Sequence, residues 1–144
     1  MIKATFQHVK GQNVYIAEVR GHAGFDELGK DVVCAGARMY AMGLAQCVLQ
    51  MRQAGKLQKI PNVRVKNGEV FVVAKPKPEH ETELRRYFYM AQVGFKLLET
   101  AYPDHVSLKL YEASLAGDSD IGVVHLDGQV KGVAHPDGQE VNPW

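Results

Sequence analysis

Apolar and polar residues alternate over Ile2–Val9, and Val14–Val19 is a second run rich in β-branched and aromatic residues. Lys10-Gly11-Gln12-Asn13 joins the two, so the start of the chain predicts a β-hairpin. The period then changes. Beyond a glycine-rich stretch, Gly21–Lys30, apolar residues recur at helical spacing from Val32 to about Ala54, with Asp31 as N-cap and Gly55 as stop. Val63–Val65 and Val70–Ala74 flank Lys66-Asn67-Gly68-Glu69, where Asn-Gly favours a tight turn, and Pro76 and Pro78 end that strand. Glu79–Ala101 carries an apolar stripe (Leu84, Tyr87, Phe88, Ala91, Phe95, Leu98) among charged residues and predicts a second long helix. Pro103 lies just beyond it, and Val106–Tyr111 alternates as a last strand. One apolar face per helix predicts an α+β fold, a two-layer sandwich with both long helices on one face of an antiparallel or mixed sheet.

Composition adds limits. The chain has 144 residues, 46 % apolar and 23 % charged, which is ordinary for one globular domain and excludes disordered, collagen-like and disulfide-scaffold classes. Its start lacks the pattern of a signal peptide, and the apolar run Val32–Met51 is interrupted by Arg38, Gln46 and Gln50, so no membrane partner is expected. The expectation is a soluble cytoplasmic protein. The net charge of +1 divides unevenly: Ala113 onward sums to −4, leaving +5 on residues 1–112. That excess is mild and dispersed, so direct nucleic-acid binding is not expected. RNA binding by these residues is a separate reading, which needs a contiguous basic face.

The same division separates a body, residues 1–112, from an acidic, glycine-rich tail, residues 113–144. In the tail Gly122-Val-Val-His-Leu-Asp-Gly-Gln recurs ten residues later as Gly132-Val-Ala-His-Pro-Asp-Gly-Gln. Each unit reads as a short extended piece followed by an Asp-Gly turn, either a duplicated surface ribbon or a weakly ordered extension. Its paired His and Asp complete no recognised ligand spacing, so no metal and no cofactor are expected.

Cys34 and Cys47 suit a reducing compartment. Both fall on the first helix, about 20 Å apart along its axis, too far for a disulfide. Cys47 reads as core packing. Cys34 falls in the first helical turn, where unpaired N–H groups and the helix dipole favour a thiolate. His22 ends the preceding strand across the glycine-rich loop, and a His near a thiol can take its proton. Backbone N–H groups near the helix start are candidate oxyanion donors. The opposing reading is a core cysteine among Val32, Val33 and Ala35, and a structural His. Asp31 and Asp26 lie close enough to orient His22, although Asp31 is more simply the N-cap and Asp26 a solvated loop residue.

The segment Gly21-His22-Ala23, followed by Gly29-x-Asp31-Val-Val-Cys34-Ala35, resembles the signature of the ribosomal-processing cysteine proteases, the Prp family. The resemblance runs over about residues 1–112 and includes the Tyr102-Pro103 turn after the second helix. It implies a small homodimeric α+β protein. It implies Cys34 as nucleophile and His22 as general base. It implies a substrate-binding segment comprising Gly21, Ala23, Gly24, Asp31 and Arg38, with the glycine-rich loop as a mobile gate. The implied substrate is the precursor of large-subunit ribosomal protein twenty-seven, cut after a Phe in its amino-terminal extension. One departure stands out: Arg38 occupies the place where family members often carry Ser, which bears on specificity and activity. The function expected is a cysteine endopeptidase. The alternative is a non-catalytic, ribosome-associated or protein-binding member of the same fold.

Overall fold

The computed structural model describes residues 1–27, 29–113, 122–125 and 130–132. The elements are β1 (Ile2–Val9), β2 (Val14–Arg20), α1 (Val32–Gln53), β3 (Asn62–Lys66), β4 (Glu69–Ala74), α2 (Glu81–Ala101), β5 (Val106–Ala113), β6 (Gly122–His125) and β7 (Val130–Gly132). Among the described residues the sheet runs β3-β4-β2-β1-β5-β6-β7. β1 and β5 pair in parallel, and the other neighbours are antiparallel. The fold is therefore α+β with a mixed sheet, as the element order predicted.

Chain direction explains why both helices share one face. β2 and β3 both run antiparallel to β4, so α1 is a crossover between parallel strands. α2 is another, from β4 to β5. The two crossovers move in opposite directions across the sheet from strands of opposite sense. Right-handed crossover then puts both on the same side. Period-two alternation supplies the matching face: Ile2, Ala4 and Phe6 of β1, Tyr15 and Ala17 of β2, and Val70, Val72 and Ala74 of β4 are buried. They form one core with Val33, Ala37, Leu44 and Val48 of α1 and Leu84, Phe88 and Phe95 of α2. Phe6 holds Phe88 edge-on at 6.3 Å and Phe95 at 5.9 Å, anchoring α2 over the centre of the sheet. α1 is long and apolar enough to cross a membrane by length and composition. Here its apolar face packs into this core. Val9, Val14, Ile16 and Val73 form a smaller cluster on the opposite sheet face, with Phe71 and Tyr111 against it.

Boundaries shift by a residue or two from the sequence reading. Ala54 caps α1 and Gly55 follows it, as expected. α2 starts at Glu81 rather than Glu79 because Pro78–His80 forms a short 3₁₀ turn. β5 runs on to Ala113, where Tyr111, Glu112 and Ala113 pair with His125, Val124 and Val123 of β6. The extended piece of the first repeat is thus β6. The second repeat beyond Gly132 lies outside the described residues.

Candidate active site

A cavity of about 490 Å³ opens between the start of α1, the β3–β4 hairpin and the loop after β2. Its wall is mostly apolar, with Ile2, Val19, Ala37, Ala41, Met42, Val65 and Val70. Its polar lining comes from two places: His22, Asp26, Asp31, Cys34 and Arg38 from the loop and α1, and Lys66, Asn67 and Glu69 from the hairpin.

Asp31 joins the loop to the helix. Its Oδ1 accepts the N–H groups of Val33 at 3.0 Å and Cys34 at 2.9 Å, which caps α1. Its Oδ2 accepts those of Phe25 at 2.9 Å and Asp26 at 3.2 Å, which ties the loop to the helix start. The Cys34 N–H acts most strongly to hold the Asp31 carboxyl below its ordinary range; burial opposes it, and the other three amides add to the lowering. Two of the amides near the helix start, those of Val33 and Cys34, are thus donated to Asp31. The Asp31 charge also offsets the helix dipole at the first turn, which holds Cys34.

The donor that reaches the thiol comes from the loop instead. The Ala23 N–H donates to Cys34 Sγ at 3.1 Å. Ala23 is buried, and its neighbours Gly21 and Gly24 line the cavity. Gly21 has φ +97°, and its N–H donates to the Gly68 carbonyl at 2.9 Å. A Cβ at Gly21 would run into the Met1 carbonyl oxygen, so only glycine allows this close approach. His22 is exposed, with its ring against the hairpin turn: a Cβ on Gly68 would lie 2.9 Å from Nε2. Among the described residues no hydrogen bond joins His22 to Cys34, although both line the cavity.

The structure thus gathers Gly21, His22, Gly24, Asp31, Cys34 and Arg38 around one cavity, with Ala23 directly beneath. Asp31 is the N-cap, and Asp26 Oδ1 accepts the Glu27 N–H at 2.7 Å. Cys47 is elsewhere, half-buried against α2; burial and then the Glu83 charge push its thiol up, which suits an inert packing residue. No cluster of three or more metal-ligating side chains occurs among the described residues. The His and Asp pairs of the tail repeat lie outside the described side chains. Sequence reading missed the β3–β4 hairpin as a wall of the site, because nothing local in Val65–Val70 marks it.

Residues 1–107 match the family model for the cysteine protease Prp. The chain belongs to the Prp family of cysteine proteases. The Prp segment covers β1 to the start of β5, which includes every residue of the cavity. Solved structures agree on the fold. The ribosomal processing protease Prp from S. aureus, in complex with a covalently linked product peptide, is 20 % identical with a TM-score of 0.58. The match covers 76 % of this chain and 99 % of that one. The same protease with a substrate peptide gives 18 % identity, a TM-score of 0.54 and coverages of 76 % and 99 %. SMU.848 from Streptococcus mutans gives 24 %, 0.55, 78 % and 95 %. No curated protein sequence matches the chain.

Proposed function

We propose that this Prp-family chain is a cysteine endopeptidase that removes the amino-terminal extension of large-subunit ribosomal protein twenty-seven. The observation that carries the reading is Cys34 at a mostly apolar cavity, its Sγ accepting the Ala23 N–H, with His22 lining the same cavity. In the reaction His22 takes the Cys34 proton and the thiolate attacks the scissile carbonyl carbon. The peptide C–N bond breaks as His22 protonates the departing amine, leaving a thioester on Cys34. Water, deprotonated by His22, then displaces the thiolate and releases the acid. The His22 ring has room to act because it rests on a glycine turn and is otherwise exposed; catalytic hydrogen bonds often tighten only when substrate binds. The apolar wall suits a large apolar side chain such as Phe on the acyl side of the cut bond. Both cysteines are free thiols, which fits action in the cytoplasm.

The deciding experiment incubates the protein, its Cys34→Ala variant and its His22→Ala variant with a peptide spanning that processing site. Cleavage by the unaltered protein, none by Cys34→Ala and about 10²–10⁴-fold slower cleavage by His22→Ala is the expected result. Equal cleavage by all three, or by none, removes the mechanism for this substrate. Two observations favour the second reading, a non-catalytic binder: the His22 ring rests on Gly68, and Arg38 lines the cavity. Peptide binding without cleavage selects that reading.

The family resemblance also motivates a homodimer. Its support is an apolar stripe on the outer side of the helix layer, where Met39, Met90 and Leu97 are 71 %, 62 % and 61 % exposed.

A further inference from the structure

The loop that carries Ala23 is pinned at a second point, far away in sequence. After α2 the chain turns at Tyr102-Pro103, and His105 immediately precedes β5. His105 Nδ1 lies 2.8 Å from the Ala23 carbonyl oxygen. A carbonyl oxygen only accepts, so Nδ1 bears the proton and donates. The Phe25 ring stands edge-on to the His105 ring at 5.4 Å and against Tyr102 at 5.3 Å. The imidazole hangs from a fixed backbone: the Ile2 N–H donates to the His105 carbonyl at 2.8 Å, and the His105 N–H to the Tyr102 carbonyl at 3.0 Å.

Ala23 therefore has both backbone polar groups engaged. Its N–H points at Cys34 Sγ, 3.1 Å away, and its carbonyl at His105. The loop is tied before Ala23 by the Gly21 N–H on the Gly68 carbonyl and after it by the Phe25 and Asp26 N–H groups on Asp31, and the His105 bond falls between those ties, on Ala23 itself.

We propose that His105 is a positioning residue for the cysteine chemistry. Its Nδ1–H holds the Ala23 carbonyl so that the Ala23 N–H stays on Cys34 Sγ, where it stabilises the thiolate by a charge-assisted hydrogen bond. The proposal rests on the reading of Cys34 as the nucleophile. It separates two properties of the ring: the Nδ1 donor positions Ala23, and the ring face only seats Phe25.

Two substitutions separate those properties. His105→Phe keeps an aromatic ring beside Phe25 and removes the donor. His105→Asn removes the ring and keeps an N–H donor at about the place of Nδ1. The readout is Cys34 alkylation by iodoacetamide across pH, resolved from Cys47 by mass spectrometry of peptides. His105→Phe is expected to slow Cys34 alkylation about tenfold at neutral pH and raise its pH midpoint by about one unit. His105→Asn is expected to track the unaltered protein. An unchanged profile in His105→Phe, or equal loss in both variants, overturns the proposal. Should His105→Phe fail to fold, the ¹⁵N spectrum of His105 in the unaltered protein decides: Nδ1 protonated supports the proposal, and an Nε2–H tautomer overturns it. If Cys34 of the unaltered protein alkylates no faster than Cys47, the nucleophile reading itself fails. A fast Cys34 that ignores His105 removes the positioning role alone.

Discussion

Asp31 does two things with two oxygens, and they can be pulled apart. Oδ1 caps α1 and Oδ2 holds the loop. Asn keeps one accepting oxygen and loses the other, so Asp31→Asn is expected to keep the helix cap and release the loop. Four amides favour the charged form and hold the carboxyl below its ordinary 3.8. A depressed folded value means stabilisation that is fully present above pH 3.8 and lost as pH falls through the lower folded value. Urea midpoints measured across pH will therefore differ by a constant amount between the unaltered protein and Asp31→Asn above about pH 5. The gap will shrink below pH 3.8. A gap that stays constant to pH 2 contradicts this account. Much at this scale was legible in the sequence. The Asp31 cap and the place of Cys34 in the first turn follow from local spacing. The two contacts of Ala23 do not, since one partner lies 11 residues away and the other 82. Only the closed fold brings them together.

The elements meet with little tolerance, and glycines mark where. α1 and α2 run antiparallel, with Gly36 against Leu98 and Gly94 against the Tyr40 ring. A Cβ at Gly94 would overlap that ring, so Gly94→Ala is expected to cost about 1–3 kcal/mol by overpacking. The measurement is a lowered urea midpoint at unchanged slope. Adding Tyr40→Ala removes the obstacle, so the double variant will be less destabilised than the two single losses combined. Additive losses refute the contact. Gly68→Ala tests a different element. Its φ of +72° strains any side chain, and the added Cβ lies 2.9 Å from His22 Nε2. The expected result is about 1 kcal/mol or more of lost stability and a displaced His22 ring. Peptidase activity will fall further than stability explains. Activity that tracks stability alone rules out a His22 role for this turn. The hairpin itself was legible from Asn67-Gly68, and both long helices from their stripes. The extent of β5 and the join to β6 were not, because strand pairing at a sheet edge depends on a partner that local pattern does not specify.

At the scale of the whole molecule the question is what covers the helix layer. The inner faces of α1 and α2 are buried on the sheet, and their seam is closed by Gly94, Tyr40 and Leu98. Outward lie Met39 on α1 and Met90, Val93 and Leu97 on α2, spaced three and four residues apart along one side. Lone exposed apolar residues need no explanation, but a run of them on one helix face marks an interaction surface. The homodimer proposed above would cover it economically, because a two-fold axis sets the same stripe against itself. About 800 Å² per partner is the usual need, and two helices side by side offer a surface of that order. Met39 is followed three residues later by Met42, which lines the cavity, so on α1 the stripe borders the side that carries Cys34, Arg38 and Met42. Met90→Glu with Leu97→Glu places two charges per copy in the paired stripe and none in either core. Sedimentation velocity is expected to give a dimer for the unaltered protein and a monomer for the double variant. Thermal stability of the monomeric variant is expected to stay close to that of the unaltered protein at high dilution, since only exposed positions change. A dimer that survives both charges places the interface elsewhere on the molecule.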